Sequence, residues 1–290
     1  MLTLSKIHNL HTKSIDFILA YPQADVKIPI YLFTPQGVII GNGSRDVVLR
    51  LRKNLYGLKD AGRTWWEHLS TGLYNLDFKQ SQVDQCLWTK GITTIIVYVD
   101  DCIIFDSDIR GTQHAYDFLR ACYNTKDKGA AVEEFLGINM DHYSTEGQEY
   151  IHMSQPLLIN RIIDAIPGMR KAAPRKSPAT TTNHLTKDEH GPARKESWNY
   201  RSVIGMLNFL VNSTHPELAF AVHQCARFCA NPKHRHEQAV KNIIRYLIGT
   251  CKSHSLEKGC STGCQGIIYK PDKSQDVVVF VDAYFAAEWD

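Results

Sequence analysis

Two adjacent aspartates, Asp100 and Asp101, interrupt an otherwise apolar stretch over residues 94–105. Apolar runs of about five residues on either side of a polar break read as a β-hairpin with one buried face. Neighbouring carboxylates at its tip repel, and one takes up a proton unless a cation offsets the charge. Oxygen ligands of this kind suit a hard divalent ion such as Mg²⁺. An ordinary surface Asp-Asp turn has the same sequence, so the doublet needs support from elsewhere. It comes upstream, where Asp16 ends a short strand-like run and an apolar pentapeptide follows. A two-metal phosphoryl-transfer site uses about three carboxylates converging on ions roughly 4 Å apart. One acid on a strand and two on a neighbouring hairpin supply that set.

Other segments stand in a definite order around these acids. They are residues 14–21 followed by 30–32, residues 51–66, Tyr98-Val99-Asp100-Asp101, and Phe135-Leu136-Gly137. Residues 200–205, 216–222 and 245–250 complete the series. In that order and spacing they resemble the reverse transcriptase region of copia-type LTR retrotransposon polyproteins, over nearly the whole chain. The resemblance implies an α+β fold, a polymerase palm with an antiparallel sheet and flanking helices, followed by a helical thumb and connection. It implies RNA-directed DNA polymerase activity, with Asp16, Asp100 and Asp101 as catalytic carboxylates holding two Mg²⁺ ions, or Mn²⁺ in their place. Phe17, Tyr21, Asp60, Arg63, Tyr98 and Val99 fall where the family binds its substrates: Tyr21 is placed to exclude a ribose 2′-OH, Tyr98 and Val99 to pack near the primer terminus, and the Phe17 carbonyl to serve as a further metal ligand. A half-buried core tyrosine fits Tyr21 equally well. Phe135, Leu136 and Gly137 match the primer grip. Lys126 or Lys128 would be placed to protonate pyrophosphate, although a solvated surface lysine is the simpler reading.

The resemblance departs at Asp60, where the family commonly has Gln, and at Gly62, where it has Pro. A carboxylate cannot donate the amide hydrogen bond and adds negative charge near a triphosphate. The implied partners are an RNA or DNA template with its primer, deoxynucleoside triphosphates and the missing polyprotein segments.

Boundaries follow from pattern and resemblance together. Residues 1–148 read as the palm, with the fingers that precede the first motif absent. Residues 149–252 read as thumb and connection, with a mobile polar linker at 168–195. Residues 263–290 read as the truncated start of an RNase H domain, in which Asp282 is an isolated metal-binding acid. No RNase H activity is expected. Within the palm, Gly41-Asn-Gly43 marks a turn, residues 63–76 carry apolar side chains at helical spacing, and Ser107 or Asp108 is placed to cap a helix through Cys122. Three later helices are expected near 198–212, 217–230 and 237–247, the last stopped by Gly249. Lys233, Arg235, Lys241 and Arg245 are its candidate phosphate contacts.

Composition sets the remaining bounds. At 290 residues the chain can hold two domains and a generous core. Residues 151–252 hold 15 Lys and Arg against 6 Asp and Glu, a balance of +9, which leaves −6 for the rest. An acidic part that gathers cations and a basic part that tracks phosphates suit a polymerase. No apolar run reaches the roughly 18 residues of a membrane span, and the first residues lack a signal-peptide core. Eight scattered cysteines suit a reducing intracellular setting, and the resemblance implies a cytoplasmic particle. Two other readings compete: an inactive nucleic-acid-binding remnant, and a metal-dependent nuclease using the same three acids.

Overall fold

A computed structural model describes residues 1–40, 47–145, 148–179, 184–254 and 265–271. Helix α1 (Leu2–Ile7) precedes strand β1 (His11–Phe17), and the short helix α2 (Ala20–Gln23) leads to a ribbon of β2 (Tyr31–Phe33) and β3 (Val48–Arg50). Helix α3 (Ala61–Asn75) follows, then strands β4 (Lys79–Gln80), β5 (Leu87–Lys90), β6 (Thr93–Tyr98) and β7 (Asp101–Asp106). Helix α4 (Ile109–Cys122) and strand β8 (Thr125–Gly129) close this unit. The strands form a six-stranded sheet ordered β4-β5-β6-β7-β1-β8, antiparallel at every step.

Period-two alternation sorts β1 and β7 between the two faces of that sheet. Ile15, Phe17, Cys102 and Ile104 face α3 and α4 and pack with Trp65, Leu69, Leu73 and Leu119. Ile103 and Phe105 face the opposite way, against Val132, Met140, Ile151 and Met153. The last three belong to a second sheet, whose strands are β9 (Glu134–Phe135), β10 (Ile138–Thr145), β11 (Gln148–Ser154) and later β12 (Ile267–Tyr269). Strand β7 is therefore buried on both faces from Cys102 to Asp106. Asp101, on the face of Ile103 and Phe105, lies at the uncovered rim.

Helix α4 begins where expected, with the Asp108 side chain accepting from the Arg110 N–H. Trp65 and Trp88 are core residues. The turn over residues 41–43 lies outside the described residues, as does Asp282.

The helical unit comprises α5 (Pro156–Asp164), α6 (Tyr200–Ser213), α7 (Ala219–Ala226) and α8 (His234–His254), around a core that includes Ile162, Leu207, Val222 and Ile244. It joins the second sheet through a buried polar knot. Thr214 Oγ1 donates to Gln155 Oε1 at 2.9 Å, so it accepts from His215 Nδ1 at 3.0 Å. Burial, reinforced by nearby His152, lowers His215 to about 4 and keeps it neutral.

Four expectations need correction. The boundary at 148/149 falls inside a hairpin, because β10 and β11 pair from Asn139↔Ser154 to Thr145↔Gln148. The first unit thus runs to Ser154. Strand β12 continues that same sheet on β11, so residues 267–269 are not a separate unit. Gly249 does not stop α8, which continues to His254. A Cβ there would lie 3.0 Å from the Arg175 carbonyl, so glycine serves the close approach of the linker backbone. Finally, the linker from residue 184 to 198 is strapped down. His236 Nε2 meets the Thr186 carbonyl at 2.8 Å, Leu185 N–H donates to Gln224, and Trp198 Nε1 donates to buried Glu237 at 3.0 Å.

Candidate active site

Asp16 sits one residue from the end of β1 and Asp101 begins β7, and antiparallel register sets them directly opposite each other. Val99 and Asp100 form the two-residue turn between Tyr98 and Asp101. Val99 has φ +55°, which is costly for a β-branched side chain. Two contacts hold the turn in that shape. The Phe17 N–H donates to the Asp100 carbonyl at 2.7 Å, and the Trp65 indole N–H donates to the Val99 carbonyl at 2.7 Å. Trp65 is itself wedged edge-on between Phe17 and Tyr123. Core packing on one side of the sheet thus sets the backbone that carries the acids on the other.

A single ammonium bridges the pair. Lys128 Nζ lies 3.3 Å from Asp16 Oδ1 and 3.0 Å from Asp101 Oδ1. Burial opposes its charge, but hydrogen bonds and attraction from Asp101 and Asp16 prevail and raise its pKa above the ordinary lysine value. Asp100 is exposed on the turn. Its charge, after the larger effect of burial, raises the pKa of Tyr56, whose ring lies 4.5 Å from that of Tyr21. Tyr21 is thereby half of an aromatic pair with Tyr56.

Asp16 and Asp101 offer only oxygen donors at a partly exposed rim, a set that fits a hard divalent cation. Among the described residues no group of three or more His, Cys, Asp or Glu side chains is close enough to hold a metal ion. The protein ligands would be these two carboxylates, with water and phosphate oxygens filling the shell, the usual arrangement for Mg²⁺ at phosphate sites.

Residues 1–181 match the family model described as reverse transcriptase (RNA-dependent DNA polymerase). The chain belongs to the reverse transcriptase family. It is 31% identical over 242 residues to the retrovirus-related Pol polyprotein from transposon RE1 of Arabidopsis thaliana, covering 82% of this chain and 16% of that protein. It is 28% identical over 260 residues to the corresponding polyprotein from transposon TNT 1-94 of Nicotiana tabacum, covering 86% and 19%. The putative transposon Ty5-1 protein YCL074W of Saccharomyces cerevisiae is 26% identical over 239 residues, covering 81% and 75%. This is the reverse transcriptase region of copia-type retrotransposon polyproteins, and it spans less than a fifth of those plant relatives' length. No helix among the described residues is long and apolar enough to cross a membrane.

The remaining family positions are distributed unevenly about the acids. Phe17 is fully buried, and only its backbone reaches the turn. Tyr98 is half exposed beside Asp101. Asp60 and Arg63 line a separate cleft of about 600 Å³ with Lys27, Lys59 and Glu67, and none of the three acids lines it. Arg63 is committed there to Glu67, Nε to Oε1 at 3.0 Å. Leu136 and Gly137 form the two-residue turn between β9 and β10, both at positive φ, +53° and +72°. Such a conformation in leucine is strained, a feature concentrated at functional sites. Strand β10 shares a cleft of about 790 Å³ with Ser14, Lys126 and Lys128, and none of the three acids lines it.

Three of the four expected phosphate contacts are engaged internally. Arg235 donates to Thr186, Lys241 pairs with Glu196, and Arg245 donates to the Ala173 carbonyl. They hold the linker on the helices. Tyr56 and Trp65 are site residues that sequence reasoning missed, and Lys128, considered there only for pyrophosphate, pairs instead with the acids. Trp65 looked like any core tryptophan, and Lys128 like a surface lysine.

Proposed function

We propose that Asp16 and Asp101, with Asp100 exposed on the adjoining turn, form the nucleotidyl-transfer centre of an RNA-directed DNA polymerase. On this reading the six-stranded unit is the palm and the helical unit the thumb and connection. The observation that carries it is the meeting of Asp16 and Asp101 across β1 and β7 on one shared ammonium, all three side chains partly exposed. Mg²⁺, or Mn²⁺ in its place, would supply charge that acidifies a primer 3′-hydroxyl and neutralises departing pyrophosphate. The chain's own residues position the reactants. Asp16 and Asp101 provide the anionic oxygens, the Tyr21–Tyr56 pair stands where a ribose 2′-OH would be excluded, and the Phe135–Gly137 turn faces the primer end. Template, primer and deoxynucleotides are the partners, and Asp60 weakens the triphosphate contact at its position.

The test is primer extension by a longer polyprotein segment that carries these 290 residues, on an RNA template with deoxynucleotides and Mg²⁺. Extended primer that disappears on chelation supports the reading. Template cleavage without extension would replace it with the nuclease. A folded protein that does neither is the nucleic-acid-binding remnant.

The tryptophan clamp adds a second expectation. Trp65→Phe keeps most of the ring packing but removes the hydrogen bond to the Val99 carbonyl, worth about 1 kcal/mol. Extension is expected to slow by roughly tenfold, beyond what that small stability loss explains, because the turn relaxes from its strained shape. An unchanged rate beside a lowered melting temperature would make Trp65 a packing residue only.

A further inference from the structure

We propose that Lys128 is a resident counter-ion of the acid pair, holding Asp16 and Asp101 together in the metal-free chain and competing with the divalent cation that replaces it. The competition rests on the reading of the pair as a cation site; the counter-ion role does not.

The backbone places this lysine in an unusual way. Strands β1 and β8 pair Ser14 with Gly129 but Ile15 with Asp127, so Lys128 is the extra residue of a bulge. Bulges bend a strand and re-aim a side chain, often beside functional sites. Here the bulge, followed by Gly129 at φ +99°, carries the ammonium to both carboxylates. Neighbouring lysines do not share the task. Lys126 stands directly opposite Asp16 in register, yet no ion pair ties it to the acids among the described residues. Lys13 is committed to Asp127 at 2.6 Å.

Electrostatics gives the bridge its purpose. Two carboxylates facing each other at the edge of an apolar core repel, and a cation between them removes that penalty. A lysine is a compact charge on a flexible stem, able to leave without backbone movement. Glu133 and Glu134 line the same cleft and offer the displaced ammonium another seat. A divalent cation binding Asp16 and Asp101 must first displace one positive charge. Its apparent affinity is therefore lower than the two carboxylates alone would provide.

The experiment measures binding of Mn²⁺ alone to the 290-residue chain by electron paramagnetic resonance. Lys128→Met is expected to bind Mn²⁺ about tenfold more tightly than wild type. Lys128→Arg, which keeps the charge, should bind no more tightly than wild type, and Asp16→Asn should lose the site. Equal affinity in wild type and Lys128→Met, with the site still lost in Asp16→Asn, would overturn the competition and leave the metal reading standing. If neither wild type nor Lys128→Met binds Mn²⁺, the metal reading itself fails. A metal-free arm separates the two roles. In chelator, thermal melting of Lys128→Met, Asp101→Asn and their combination should show coupling between the two positions, and strict additivity would overturn the counter-ion role.

Discussion

Asp101→Asn yields a folded protein whose primer extension falls by about a thousandfold or more. The substitution keeps the side chain's shape but replaces an anionic oxygen with an amide that donates. Folding should barely register the change. Asp101, Asp16 and Lys128 are each partly exposed, at 24%, 30% and 33% of their side-chain surface. Such a bridge contributes at most about 1 kcal/mol, and removing one of two facing carboxylates also relieves their repulsion. On the proposed reading catalysis has no such cushion, since a divalent ion and the charge it would stabilise in the transition state would depend on both acids. A thousandfold is about 4 kcal/mol of lost stabilisation. Asp16→Asn is expected to match it. The measurement is single-turnover extension alongside a melting curve. An Asp101→Asn protein that extends primers at the wild-type rate would move the chemistry elsewhere.

Gly111→Ala is expected to destabilise the protein by about 2–3 kcal/mol, although helix propensity alone predicts a gain. Gly111 lies in the first turn of α4, where alanine is favoured over glycine by about 1 kcal/mol. The tertiary surroundings reverse the sign. An added Cβ would stand 2.5 Å from Cγ of Asp106, whose carboxylate is 1% exposed. That carboxylate accepts from the Asp108 N–H at 2.8 Å and from the Thr93 hydroxyl. Pushing it aside weakens two part-buried hydrogen bonds to a carboxylate, each worth about 1.5–3 kcal/mol, and adds overpacking of about 1–3 kcal/mol. Chemical denaturation should show a lower midpoint with an unchanged slope. A higher midpoint would mean that the carboxylate shifts without losing its partners.

These two cases mark how far the chain could be read unaided. The acidic hairpin was legible because alternation is local: residues 94–105 announce two strands and a polar tip whatever surrounds them. Helices α3 and α4 were legible for the same reason, from apolar spacing and a capping residue. Errors came where a residue's role depends on something distant in sequence. Gly249 has the form of a helix stop but accommodates the backbone at Arg175. The polar linker resembles a mobile loop, yet Glu237, His236 and Gln224 hold it. Arg235, Lys241 and Arg245 looked available for phosphate and are engaged internally.

What the residues determined alone was the chemistry on offer: three carboxylates in two strand contexts and a set of motifs that identified the family. Only the tertiary structure decided their arrangement. Strand register set Asp16 against Asp101, a bulge of one residue delivered Lys128 to both, and an indole from the opposite side of the sheet held the turn between Tyr98 and Asp101. The physical reason is range. Strand alternation and helix periodicity act between near neighbours and leave a pattern in the chain. Counter-charges and hydrogen bonds to a strained carbonyl act between residues about 30 to 110 positions apart, and they leave no local trace.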